Sequence, residues 1–277
     1  MTFWKRFATT IIGLPSVALL IFIGGIPLLV ICAFFALWGL REFYLAFSKK
    51  DRLIHVIGYL ATVGYFGAIY VFGGGYWLLI ALTSFIIVVQ TCLVVFFRKL
   101  PIIECITTIY GFLYIPFMLS FVVLVREHEL GPYYIFLIFI ACFGCDTFAY
   151  LVGSLIGKNK LKNSPSPSKS VEGLIGGVVG ATVAGLIYGF IIALFFNYPE
   201  TTAHIVVFAT IICFFGAIFS IVGDLAASAI KRHCDVKDFG NVFPGHGGVL
   251  DRLDSIITVA PVVYLVMNIM MLLVDII

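Results

Sequence analysis

The chain has 277 residues, of which 62% are hydrophobic and only 11% charged, with a formal net charge of +3. A mean hydropathy of +1.16, with repeated apolar runs of about 20 residues, exceeds what a water-soluble core needs and excludes a soluble globular fold. The basic residues are spread along the sequence rather than gathered in one patch, so no nucleic-acid partner is expected.

Inside hydrocarbon the backbone must satisfy its own hydrogen bonds, which leaves helices or a closed barrel. The apolar runs are continuous rather than alternating, and they predict helices. Roughly nine crossings fit, at 7–24, 27–47, 54–72, 77–97, 102–125, 133–156, 173–196, 204–230 and 253–275. Lys5 and Arg6 ahead of the first run imitate a secretory signal. No small-residue cleavage site precedes Pro27 and the apolar text resumes at once, so the segment is expected to be retained. Tight connections are expected at Gly24, Gly25 and Pro27 and again at Gly73, Gly74 and Gly75.

With nine crossings, 16 of the 17 Lys and Arg residues share one face and only Arg126 lies on the other. The positive-inside rule then puts the N-terminus in the cytosol and the C-terminus outside. The expected fold class is all-α, a polytopic integral membrane helical bundle. Residues 1–139 read as a transmembrane scaffold of about five helices, and 140–277 as a catalytic transmembrane region with cytosolic loops 157–172 and 231–252.

In the scaffold, Glu104 reads as an interfacial acid within reach of cytosolic water. Arg126, Glu127, His128 and Glu129 read as a short charged connection marking the outer boundary. The seven cysteines are odd in number, and Cys32, Cys92, Cys142, Cys145 and Cys213 fall inside apolar runs, so no disulfide framework is expected. Cys142 and Cys145 form a C-x-x-C without a second pair at metal-ligand spacing, and core packing is expected for both.

From residue 140 the text changes. Asp146 lies 12 residues before Lys158, roughly 18 Å along a helix, where an ionised carboxylate costs about 3 kcal/mol. Such a residue faces a polar cavity, a cation or a partner. Proline and serine exclude a helix across the middle of 157–172, and by composition alone the segment reads as a disordered basic linker. Lys169 and Ser170, directly before a helix start, could instead offer a cation, a hydroxyl and free N–H groups to a phosphate. Gly173, Gly176, Gly177 and Gly180 are expected to allow close helix packing.

The densest constellation follows. Asp224 and Ser228 share a helix face, with Lys231 a turn further on and Asp224 about 10 Å inside the boundary that Lys231 marks. Asp224 and Asp251 can meet where their helices adjoin and offer the hard oxygens that Mg2+ prefers, with Asp146 a further candidate ligand. Gly247 and Gly248 beside His246 let backbone approach a phosphate, and Lys231, Arg232, Lys237 and Arg252 can neutralise its charge. Asp251 and Asp254, three apart, can divide the work, one holding metal while the other orients a cation.

The stretch Ser228–Asp254 reads S-A-I-K-R-H-C-D-V-K-D-F-G-N-V-F-P-G-H-G-G-V-L-D-R-L-D. It resembles the phosphatidate cytidylyltransferase (CDP-diacylglycerol synthase) pattern S-x-x-K-R-x-x-x-x-K-D-x-G-x-x-x-P-G-H-G-G-x-x-D-R-x-D without departure. Asp146, Ala149, Tyr150 and Gly153, and the run from Ser166 to Gly173, also look like that family. Residues 1–139 match only as generic scaffold.

The resemblance implies Mg2+-dependent transfer of CMP from CTP to phosphatidic acid at the cytosolic face, giving CDP-diacylglycerol and pyrophosphate. Asp224 and Asp251 would be metal ligands, and a second cation is left open. Lys169, Ser170, Ser228, Lys231, Arg232, Lys237, Asp238, Gly247, Gly248, Arg252 and Asp254 would line the nucleotide and phosphates. His246 would position phosphate rather than abstract a proton, because a phosphate monoester is largely ionised already. The bilayer is the natural partner, a homodimer stays open, and a bacterial inner membrane is the expected location. Two rivals remain: a CTP-dependent polyprenol or phytol kinase, which would release CDP, and a cation-coupled transporter, which would need matching polar sites in two repeats.

The topology has a direct test. In a cysteine-free background, Lys160→Cys and Lys237→Cys should react with an impermeant maleimide only from the cytosolic side of sealed vesicles; labelling from outside removes the nine-crossing arrangement.

Overall fold

The computed structural model describes residues 21–48, 52–128, 130–162, 164–196, 199–242 and 247–276. Eight helices in these residues are long and apolar enough to cross a membrane. They are α1 (Gly25–Ser48), α2 (Leu53–Phe72), α3 (Tyr76–Val95), α4 (Ile102–Glu127), α5 (Gly131–Ile156), α6 (Val171–Phe196), α7 (Pro199–His233) and α8 (Leu250–Ile276). Each coincides with one of the expected crossings from the second onward. The first, 7–24, lies outside the described residues except for its last four positions. The fold class is all-α and polytopic. No strand forms among the described residues; an isolated bridge pairs Lys160 with Ser170.

Packing divides the chain into two units, Met1–Glu127 with Cys234–Arg252, and His128–His233 with Leu253–Ile277. The change in composition near residue 140 falls elsewhere, at a π-helical turn, Ile140–Gly144, within α5. A second π-helical turn, Leu113–Phe117, interrupts α4 around Pro116, whose ring and missing N–H disfavour a regular α turn.

In the first unit, Phe43, Tyr44, Tyr65, Phe66 and Phe112 are almost wholly buried. Lipid is as apolar as these rings, so close packing rather than escape from water holds them. Glycine makes the approach feasible: a Cβ at Gly58 or Gly111 would overlap the Tyr44 ring. Tyr44 stacks on His55 at 4.2 Å and donates its hydroxyl to Thr108 O at 3.1 Å.

Glu104, 6% exposed, is a structural hub rather than a solvated interfacial acid. Arg52 N–H donates to His55 Nδ1 at 3.2 Å, which leaves the ring proton on Nε2 to be donated to Glu104 Oε2 at 3.2 Å. Ser48 Oγ donates to the same oxygen at 2.7 Å, and Arg52 Nε reaches Oε1 at 2.9 Å. One carboxylate thus ties α1, α2 and α4 together.

At the opposite turn, Gly24 and Gly25 adopt φ of 68° and 53°. Arg126 donates from Nε to Ile21 O and from Nη2 to Phe22 O, both at 2.9 Å, and Gly25 N–H donates to Glu127 Oε1 at 3.2 Å. These two side chains therefore do more than mark a boundary; they satisfy backbone groups that a helix end leaves open.

The second unit is built on small residues. A Cβ at Gly177 would stand 2.8 Å from Cys145 O, one at Gly173 2.8 Å from Ala149 O, and one at Gly189 2.8 Å from Val206 Cα. The expected packing role of the α6 glycines is what the structure shows. Cys142 and Cys145 are buried and free, as core packing requires.

Removing the Glu104 carboxylate leaves a buried imidazole and a hydroxyl without their acceptor, at a cost of about 3 kcal/mol. Glu104→Ala should lower the midpoint of thermal unfolding in detergent by several degrees, whereas Val94→Ala, at a 74% exposed position, should leave it unchanged.

Candidate active site

Three carboxylates gather in the second unit. Asp146 follows the π-helical turn of α5, where one extra residue per turn rotates the next side chains by about 100° relative to a regular helix. Asp224 lies on α7 beside Gly223, at which a Cβ would stand 2.8 Å from Asp254 O; that glycine lets α8 pass close enough to bring Asp254 in. Asp146 interacts electrostatically with Asp224 and Lys169, and Asp254 with Asp224, Lys231 and Asp146. Lys169 forms an ion pair with Asp224. Asp254 Oδ1 accepts Ser255 N–H at 2.8 Å.

Carboxylates outnumber lysines in this cluster, a donor set suited to a cation. Among the described residues, no three His, Cys, Asp or Glu side chains converge tightly enough to cage a metal ion. An ion held by one or two carboxylates, with water and phosphate completing its shell, fits these hard oxygen donors; this is how Mg2+ is ordinarily bound.

Lys169 is delivered by an ordered arm, so the disordered-linker expectation for 157–172 is corrected. Leu161 N–H donates to Lys169 O at 3.0 Å and Val171 N–H to Asn159 O at 2.9 Å. Glu172 accepts from the Asn159 N–H at 3.1 Å and from its Nδ2 at 2.7 Å. Side-chain-to-backbone bonds of this kind are invisible to composition, which registers only the prolines and serines. Ser170, expected at a phosphate, caps the start of α6 with its hydroxyl oxygen. It is 4% exposed, accepts Gly173 N–H at 3.2 Å and packs against Gly153 and Gly157. Ser228 and Lys231 are partly buried on α7 and Arg232 is exposed, all in the second unit.

The glycine-rich stretch belongs to the first unit. Asp235, at φ 55°, turns the chain out of α7. Asp251 Oδ2 accepts Phe239 N–H and Gly248 N–H, each at 2.9 Å, which draws 239 and 248 onto the start of α8. Gly247 takes φ of 79°, a conformation that disfavours any side chain. Lys237, Asp238 and Arg252 are exposed. His246 lies outside the described residues. One residue escaped the sequence reading: Glu42 of α1, 4% exposed, accepts Val249 N–H at 3.1 Å and Leu250 N–H at 2.9 Å. Its signal was a charged pair, Arg41 and Glu42, within a long apolar run.

Glu172→Ala deletes the bonds that pin Asn159, at a cost of about 1–2 kcal/mol, or roughly a tenfold larger open population. Trypsin should then cut at Lys158, Lys160 or Lys162 about ten times faster than in the parent chain under native conditions.

A sequence model described as the cytidylyltransferase family matches residues 4–270. A Bacillus subtilis (strain 168) protein named phosphatidate cytidylyltransferase is 37% identical over 136 residues, 49% of this chain and 48% of the relative. A Thermotoga maritima protein of the same name is 38% identical over 160 residues, 57% of each. These matches span about half of each relative's length. A third, from Staphylococcus aureus (strain COL), is 29% identical over 263 residues, 92% of this chain and 95% of the relative. The chain belongs to the cytidylyltransferase family.

Proposed function

We propose that this protein is a phosphatidate cytidylyltransferase, transferring CMP from CTP to phosphatidic acid to give CDP-diacylglycerol and pyrophosphate. The unbroken match of Ser228–Asp254 to the pattern of those enzymes carries the reading. The clustering of Asp146, Asp224 and Asp254 with Lys169 and Lys231 supports it. The active site faces the cytosol of a bacterial inner membrane, in keeping with the bacterial relatives and with the basic residues that cluster on that face.

The chemistry follows from charge. A phosphatidate oxygen bonds to the α-phosphorus of CTP while the bond to the bridging oxygen breaks, and pyrophosphate leaves with that electron pair. Two polyanions must approach, so the chain has to supply positive charge where they meet. Lys169 and Lys231, which interact with the carboxylates of the second unit, would supply it there, and the resemblance assigns Arg232, Lys237 and Arg252 to the nucleotide phosphates. Asp224, with Asp146 and Asp254 as neighbours, would hold Mg2+, which when bound screens phosphate charge and stabilises the leaving group. Asp251, the other expected ligand, already has one oxygen committed to two backbone bonds, and its role is tested by its own variant. No strong general base is required, since the attacking phosphate is already ionised. The lipid tails stay in the bilayer throughout.

Purified protein with phosphatidate and Mg2+ should move label from the α-phosphate of CTP into lipid and label from the γ-phosphate into pyrophosphate. Transfer of γ-label to lipid would establish a kinase instead. Asp224→Asn and Asp251→Asn, shown to be folded, should each lose over about a hundredfold in rate, equivalent to about 3 kcal/mol. Near-normal turnover across a Mg2+ titration would remove the ligand assignment for that residue.

A further inference from the structure

Glu42 is a buried acid that follows Arg41 in a largely apolar helix, and neither the family pattern nor the proposed chemistry gives it a role. Its carboxylate receives Val249 N–H at 3.1 Å and Leu250 N–H at 2.9 Å, at the start of α8, where helical N–H groups have no partner of their own. The neighbouring backbone leaves it no slack. A Cβ at Gly248 would stand 2.5 Å from Glu42 Oε2, and one at Gly240 would overlap the same carboxylate. Asp251 is close enough to repel Glu42 electrostatically. Each carboxylate takes two amide donors: Val249 and Leu250 for Glu42, Phe239 and Gly248 for Asp251.

From this geometry we infer that Glu42 is a positioning residue for the nucleotide-binding stretch. It fixes the backbone of 239–242 and 247–252 so that Lys237, Asp251 and Arg252 are presented in one arrangement. Two of the stretch's glycines thus acquire a second purpose. Gly240 and Gly248 leave room for the Glu42 carboxylate, as well as letting a phosphate approach backbone. Glu42 itself, 4% exposed, is too buried to touch substrate and acts only through the residues it holds. The inference rests on the cytidylyltransferase reading for its effect on turnover, but not for its effect on the backbone.

Glu42→Gln is the informative change. It keeps the shape but sets an amide NH2 against one of two backbone donors, so one of the two bonds is lost. Amide hydrogen exchange in the peptide covering 247–252 should accelerate at least tenfold. KM for CTP should rise at least tenfold, while KM for phosphatidate moves little. Gly248→Ala should produce the same KM shift from the opposite side of the contact. Combining it with Glu42→Gln should cost much less than the product of the two single effects, because both variants displace one backbone. A purely structural Glu42 would lower thermal stability and leave KM and kcat of the folded fraction unchanged; that result, or unaltered exchange in Glu42→Gln, overturns the assignment. Inactivity of the parent chain would count against the cytidylyltransferase reading, and the exchange measurement, which needs no turnover, would still decide whether Glu42 holds the loop.

Discussion

A carboxylate inside a stack of apolar helices must find donors on some other element, because hydrocarbon offers none and the unpaired charge costs several kcal/mol. That requirement organises each unit of this chain. Glu104 finds Ser48, His55 and Arg52, and in doing so fastens three helices. Glu42 finds the amides that open α8. Asp224 finds Lys169, so an otherwise polar arm is drawn onto the helix that carries the site. Each acid converts a local penalty into a long-range connection.

The remaining cohesion is steric. Helices in lipid gain little from hiding apolar surface, so contact depends on how near two backbones can come. In the second unit that distance is set by glycine: Gly173 and Gly177 against α5, Gly189 against α7, and Gly223 of α7 against α8. The last of these is also what brings Asp254 next to Asp224. Packing and chemistry share a residue there: a side chain at 223 would press on both Thr258 and the Asp254 backbone, and so on the approach of two carboxylates.

The helices were readable because continuous apolar length is a one-dimensional signal, and eight of the expected crossings coincide with helices. The acidic and basic residues of 224–254 were readable because charge in such a chain is scarce. What escaped was pairing across distance. Nothing near Glu42 names Val249 or Leu250, 207 and 208 positions away. Ser170 offered a plausible hydroxyl for phosphate, and only the folded backbone reveals that Gly173 N–H claims it. The arm at 157–170 looked disordered because its prolines and serines are visible, whereas the Asn159–Glu172 bonds that order it depend on the turn being made. Likewise the π-helical turn before Asp146 leaves no mark in hydropathy, although it decides which way that side chain points.

The bond from Glu42 to Leu250 has a consequence for biogenesis. The chain is made from its N-terminus, so α1 exists without the amides that its Glu42 accepts in the finished fold while six more helices are made. Only when residues 249 and 250 emerge can that carboxylate accept their two hydrogen bonds. A polypeptide that ends before residue 249 never makes this contact. The bond that ties α1 to the start of α8 is therefore among the last that synthesis allows.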